Sequence, residues 1–187
     1  MEYPPLFLDI LERYYPNGPL KESLLRHSCQ VWEKAEMIRK EQKLALTEEE
    51  TALGALLHDI AIFRCHAPDI HCCGEEHYLR HGILGGELLR EYGREKGLDL
   101  EKYAGVCEHH TGSGLTRENI LAQNLPLPPE DLLPATLLEE LICYADKFFS
   151  KSGDGQEKPL EKVKKSLARH GEDTLARFEK LHQKFRT

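Results

Sequence analysis

The dipeptide His58-Asp59 closes an apolar run, Leu53-Gly54-Ala55-Leu56-Leu57-His58-Asp59-Ile60, and sets two metal-binding side chains next to each other. Other residues of the same chemistry recur in helical patterns. His27 falls in an apolar stripe, His81 opens a helix, His109-His110 closes another, and Asp146 borders a late stripe. Imidazoles and carboxylates gathered from several helices are what a metal site between helices requires. Each residue also has a plainer reading. His27 could be a hydrogen-bonded core histidine, His58-Asp59 a solvated pair at a helix end, and Asp146 a carboxylate facing water or an arginine. An ionised Asp59 must be paired, metal-bound or in water.

The elements that would position these residues read as helix after helix. Residues 5–14 form a short amphipathic helix, stopped by Tyr15-Pro16-Asn17-Gly18-Pro19. A second runs over about 20–42 with Leu20, Leu24, His27, Val31 and Ile38 in its stripe. The third, about 48–60, starts at a capping box of Thr47 and Glu50, and Leu53, Leu56, Leu57 and Ile60 lie on one face. His58 sits off that face, above the small Gly54 and Ala55, where a neighbouring helix can come close. Residues 61–80 are irregular and rich in Cys and His (Cys65, His66, His71, Cys72, Cys73, His77). They contain no C-x-x-C pair and match no zinc module, so they read as a loop beside the site, with a structural zinc as the alternative.

The next helix spans His81 to about Lys96, with Gly85-Gly86 thinning one face and Gly97 as its stop. A short helix near 99–110 ends in Glu108-His109-His110-Thr111-Gly112-Ser113-Gly114. Thr116-Arg117-Glu118-Asn119 opens a small helix, and a Pro-rich segment leads to a helix at 135–151 with Leu138, Leu141, Ile142, Ala145, Phe148 and Phe149 in its stripe. Ser152-Gly153-Asp154-Gly155 is read as a flexible break. Two amphipathic helices follow at 159–169 and 172–186, with Leu160, Val163, Leu167, Leu175, Phe178, Leu181 and Phe185 facing inward. No alternating run is long enough for a strand. The expectation is an all-α fold, a helical bundle over residues 1–151 with a helical C-terminal appendage, 152–187, packed on it.

Composition narrows the function. A chain of 187 residues suits one domain with a full core. Its net charge of −7 argues against duplex nucleic acid as a partner. No apolar run approaches the ~20 residues that span a bilayer, and Met-Glu-Tyr-Pro-Pro resembles no signal peptide. Cys29, Cys107 and Cys143 lie singly within helical patterns, which suits reduced thiols and a cytoplasmic protein. Residues 158–187 carry nine Lys or Arg against four Asp or Glu, read as a solvated face with partner binding as the alternative.

The order H…HD…H…H…D over about residues 20–150 resembles the HD-domain metal-dependent phosphohydrolases. His81-Gly82-Ile83-Leu84-Gly85-Gly86-Glu87-Leu88-Leu89 looks like that family's H-x-x-x-G/A-A-x-I-L helix. The turn after His110 resembles an uncharacterised branch and the HD diadenosine-polyphosphate hydrolases. The resemblance implies an HD-domain bundle with one or two divalent transition metals, Fe, Mn, Zn, Co or Ni, since imidazole and carboxylate suit these better than Ca. His27, His58, Asp59 and Asp146 would hold the first. Asp59 would bridge to a second, held by His81 and His110, the subset with two metals having these extra histidines. His109 is the neighbour that cyclic-di-GMP-degrading relatives also use.

The implied activity is hydrolysis of a small-molecule phosphoester or nucleotide by a metal-activated hydroxide. Asp59, Lys147 and Arg64 form the expected catalytic set. Arg117 and the amides of Gly112-Ser113-Gly114 are further candidates to hold phosphate oxygens. Two departures stand out. The run His58-Asp59-Ile60-Ala61-Ile62 lacks the basic residue that often follows HDIG, and no G-Y-P follows His110, which weighs against cyclic-di-GMP. The alternatives are a catalytically silent HD module that binds a nucleotide or metal and signals through its basic C-terminal helices, and a di-iron oxygenase. A homodimer is compatible with any of these.

Overall fold

A computed structural model describes residues 2–152 and 155–186. The expected break at 152–155 therefore falls partly, at Gly153 and Asp154, outside the described residues. Nine α-helices among the described residues carry the fold: α1 Pro5–Tyr14, α2 Pro19–Glu41, α3 Glu48–Leu57, α4 His81–Lys96, α5 Glu101–His109, α6 Arg117–Ala122, α7 Leu137–Asp146, α8 Leu160–Ala168 and α9 Glu172–Phe185. None is long and apolar enough to cross a membrane.

The first turns follow from sequence chemistry. Proline stands at the first position of α1 and α2, where its missing N–H costs nothing. Thr47 and Glu50 cap α3 reciprocally, the Glu50 N–H donating to the Thr47 hydroxyl and the Thr47 N–H to the Glu50 carboxylate. Lys102 and the Thr47 amide hold the Glu50 carboxyl down at about 2. Thr116 and Asn119 make the matching box on α6.

The expected one-sided stripe on α3 is wider in the structure. Every residue from Thr51 to Ile62 is buried, because α3 lies in the middle, packed by α1, α2, α5 and α7. A helix apolar all round belongs inside a core. Helix α7 packs on α2, α3 and α5, and α9 packs on α7 through Phe178 and Phe185, which lie against Tyr144. One hydrophobic core runs from Phe7 to Phe185.

Three elements are shorter than the sequence suggested. Helix α3 stops at Leu57, α5 at His109 and α7 at Asp146. In each case tighter i→i+3 turns or a cap replace the last α-helical turn. After α7 these turns bond Lys147 to Tyr144, Phe148 to Ala145 and Phe149 to Asp146.

The expectation of no strand is corrected. Cys65–Ala67 (β1), Cys72–Cys73 (β2) and Glu76–His77 (β3) form a small sheet in the order β2-β1-β3. Strand β1 is antiparallel to β2 and parallel to β3. Two or three residues cannot display an alternation, so the sequence carried no strand signal. His66, Cys73 and His77 stand in register on the exposed face. Cys65 and Cys72 lie beneath, their thiols pushed up to about 11 by burial, which disfavours the thiolate a metal needs.

Helices α4 and α5 make a close pair because α4 offers glycine where they meet. A Cβ at Gly82 would lie 2.4 Å from the carbonyl oxygen of Cys107. This approach sets His81 at the start of α4 opposite His110 at the end of α5. Gly82→Ala should therefore push the helices apart and cost about 1–3 kcal/mol. A thermal melt that falls by several degrees, with the helical circular dichroism spectrum retained below the transition, is the expected result; an unchanged melting temperature would refute the packing argument.

Candidate metal centre

His27, His58, Asp59, His81, His110 and Asp146, drawn from α2, α4, the C-terminal ends of α3 and α5, and the last residue of α7, are all buried and come together. His27 Nε2 lies 3.2 Å from His58 Nε2 and 2.9 Å from Asp146 Oδ1. His81 Nε2 lies 2.9 Å from His110 Nε2. Asp59 stands between the two pairs. Its Oδ2 is 2.9 Å from His58 Nε2 and 3.2 Å from His27 Nε2, and its Oδ1 is 3.4 Å from His81 Nε2 and 3.5 Å from His110 Nε2. His27, His58 and Asp146 make one group able to hold a metal ion, and His58, Asp59 and His110 another.

Backbone carbonyls aim three of these rings. Nδ1 of His58 lies 2.6 Å from the carbonyl of Ala55, Nδ1 of His81 2.6 Å from that of Tyr78, and Nδ1 of His110 2.7 Å from that of Cys107. A carbonyl only accepts, so each Nδ1 carries a proton and each Nε2 is the ring atom turned toward the cluster, the one that could ligate a metal. His27 differs in that its Nδ1 has no hydrogen-bond partner. The turn beyond Asp59 is pinned as well, since the buried Tyr15 hydroxyl donates to the Ile60 carbonyl at 2.8 Å.

Neither Asp59 oxygen accepts a hydrogen bond of good geometry, although the side chain is 0% exposed. A fully buried carboxylate whose two oxygens face four imidazoles at 2.9–3.5 Å is a donor set that fits a divalent cation. Burial would raise the Asp59 and Asp146 carboxyls. The charges of His58 and Lys151 on Asp59, and of Lys147 with its His27 bond on Asp146, outweigh it and hold both well below the usual range. Burial likewise opposes a proton on His58, but the two carboxylates push it up to about 9. The same burial wins at His81, down to about 3, and at His110, also lowered.

Other expected residues lie elsewhere. His109, adjacent to His110, points away from the cluster, with Nδ1 2.9 Å from Glu139 Oε2. The Glu139 carboxylate on α7 holds the His109 ring on that side, while His110 faces the cluster. Arg64 places its guanidinium over the Phe63 ring. Arg117 bonds to the Pro129 carbonyl. Neither lines the cleft over the cluster. The Gly112-Ser113-Gly114 turn joins α5 to α9, the Ser113 hydroxyl donating to the Thr174 carbonyl and the Gly114 N–H to Thr111; of the three only Gly112 reaches the cleft. Lys147 is in place, 2.6 Å from Asp146 Oδ2 and donating to the His110 carbonyl at 2.9 Å.

Lys151 was not singled out from the sequence, yet its Nζ lies 2.6 Å from Asp59 Oδ2. A helix continuing to 151 would have stacked it one turn beyond Lys147. The end of α7 at Asp146 turns it back over the cluster instead. Tyr78, stacked on His81, supplies the ring beneath it.

The neighbours His109 and His110 provide a test. His110→Ala should lower the metal content of purified protein loaded with Mn²⁺, and His109→Ala should leave it unchanged. Elemental analysis showing equal loss in both would disprove the division drawn between them.

The model of the HD domain matches residues 24–150. An uncharacterized protein of Methanocaldococcus jannaschii is 40% identical over 98 residues, 52% of this chain and 47% of the relative. Two proteins named tRNA (cytidine(56)-2'-O)-methyltransferase also match. That of Thermoplasma volcanium is 29% identical over 94% of this chain and 44% of its own length. That of Picrophilus torridus is 33% identical over 71% of this chain and 33% of its own. The chain thus spans less than half the length of each of these relatives. No solved structure matches it significantly. The family segment begins in α2 just before His27 and ends just past Asp146, enclosing every residue of the cluster: the chain belongs to the HD domain family.

Proposed function

We propose that this chain is a metal-dependent phosphohydrolase acting on a nucleotide or another small phosphoester. The observation that carries the reading is the cleft over the cluster. It has a volume of about 450 Å³, with His27 and Asp146 in its lining and Lys147, Lys151 and Lys158 around them. That is ample for a small ligand, and an anion is what three lysines beside a metal centre would attract.

His27, His58, Asp59 and Asp146 would hold one metal, and Asp59, His81 and His110 a second. When bound, such metals supply an activated water and neutralise charge developing on phosphoryl oxygens. The protein's own groups bind and orient. Lys147 is fixed at both Asp146 and the His110 carbonyl, so it offers a positioned ammonium rather than a wandering one. Burial lowers the Lys158 ammonium against the opposing charge of Asp146, and Lys147 and Lys151 add to the lowering; an anion in the cleft would favour its charged form. The apolar Ile70, Val163 and Leu167 line the same cleft and suit the uncharged part of a substrate.

A second reading is a module that binds metal or nucleotide without turnover. The names of two relatives favour it, because a segment matched over less than half of a tRNA methyltransferase need not itself be catalytic. Asp59→Asn separates the two. It keeps the side-chain volume but removes the negative charge facing both histidine pairs. With Mn²⁺, wild-type protein should cleave members of a phosphoester panel. The variant should lose about 10²–10⁴-fold in rate while its circular dichroism spectrum is retained. Wild-type protein loaded with Mn²⁺, Fe²⁺ or Ni²⁺ and inert across nucleotides, dinucleoside polyphosphates and simple monoesters would establish the second reading.

A further inference from the structure

Lys151 has a conflict built into its position. Its ammonium touches Asp59 Oδ2, the oxygen that faces His27 and His58. The same oxygen is offered to any cation held by His27, His58 and Asp146. Two cations cannot share one carboxylate oxygen at contact distance without strong repulsion in a buried, low-dielectric setting. We propose that Lys151 and a divalent metal compete for Asp59, and that the ammonium displaced by the metal becomes the cleft's binding group for the substrate's anion.

The surroundings favour a moving arm on a fixed anchor. The Lys151 backbone is tied down, since Arg26 donates to its carbonyl at 2.8 Å. The side chain is long and has rotatable bonds throughout. It is 13% exposed and lines the cleft, so an outward swing keeps it on the same wall. Lys147 differs because its ammonium is held at two points, by Asp146 and by the His110 carbonyl. Lys158, also in the lining, has no carboxylate contact among the described residues. The groups facing Lys151 are Asp59, Asp146 and the Tyr78 ring. Once a metal neutralises the two carboxylates, the ammonium is left to the other groups of the cleft, the Asp69 carboxylate among them, and to an anion that enters it.

The inference rests on the phosphohydrolase reading only for the identity of the anion. The experiment therefore uses binding as well as turnover. Protein stripped with a chelator is titrated with Mn²⁺ calorimetrically, and the Mn²⁺-loaded protein is then titrated with inorganic phosphate. Lys151→Met should bind Mn²⁺ about tenfold or more tightly than wild type, because a competing charge is gone. It should bind phosphate about tenfold or more weakly, because the hand is gone. Lys151→Arg keeps the charge and should bind Mn²⁺ like wild type. A misfolded variant cannot gain metal affinity, and Lys151→Gln repeats the measurement should the methionine variant not fold. Unchanged or weaker Mn²⁺ binding in the neutral variants overturns the competition. Phosphate binding that is absent in wild type, or equal in wild type and variant, overturns the second role. Wild-type protein that binds Mn²⁺ and phosphate but turns over no phosphoester would sink the hydrolase reading and leave Lys151 decided by the titrations.

Discussion

One carboxylate governs this structure. Asp59 is completely buried, and its two oxygens look in different directions, each toward a pair of imidazoles. An isolated charge in such a place would be prohibitively costly, and breaking up its partners would leave that cost uncovered. Around Asp59 the structure gathers the His58 ring and the Lys151 ammonium. Helix α3 has to be central for this to happen. It is buried on every side so that its C-terminal end delivers His58 and Asp59 into the middle of the molecule, where α2, α5 and α7 converge. The capping box at Thr47 and the Tyr15 bond to Ile60 fix the two ends of that delivery.

The ligand histidines also solve a problem that helices create. The last carbonyls of a helix have no intrahelical partner. His58 and His110 stand just past the ends of α3 and α5, and their Nδ1 atoms bond carbonyls in the last turns, those of Ala55 and Cys107. His81 does the same for Tyr78 in the turn before α4. A single contact therefore satisfies a terminal carbonyl, places a proton on Nδ1 and turns Nε2 toward the cluster. Placing imidazoles at helix ends makes orientation a by-product of helix termination, with no separate network of polar side chains to bury.

Much of this was legible in the sequence, and the failures have physical reasons. Thr47 with Glu50 and Gly97 beyond Lys96 are local signals, and α3 begins and α4 ends where they point. The cluster was legible because His27, His58, Asp59, His81, His110 and Asp146 are rare donor types set in apolar helical patterns. Three things were not. The small sheet is too short to show a period. The choice between His109 and His110 depends on where α5 ends, and the helix end is the least determined part of any periodic pattern. Lys151 became part of the site because α7 stops at Asp146 and its last turns tighten, whereas a helix continued to 151 kept it beside Lys147.

The division of the chain between cluster and cleft carries the last step. The family segment ends at residue 150 and contains all six clustered residues. One part of the cleft's wall comes from beyond it: Lys151, Lys158, Val163, Ser166, Leu167 and His170. These belong to α8 and the chain that leads to and from it, held against α7 by α9 and by the Lys158 amide bonded to the Phe148 carbonyl. The geometry of the cluster thus depends on helices packed at the centre. The shape of the cleft depends in part on α8, a peripheral helix of nine residues that brings Val163, Ser166 and Leu167 to its wall. Substitutions along α8 would reshape the cleft while leaving the residues of the cluster in place, so cleft and cluster are separable in this fold.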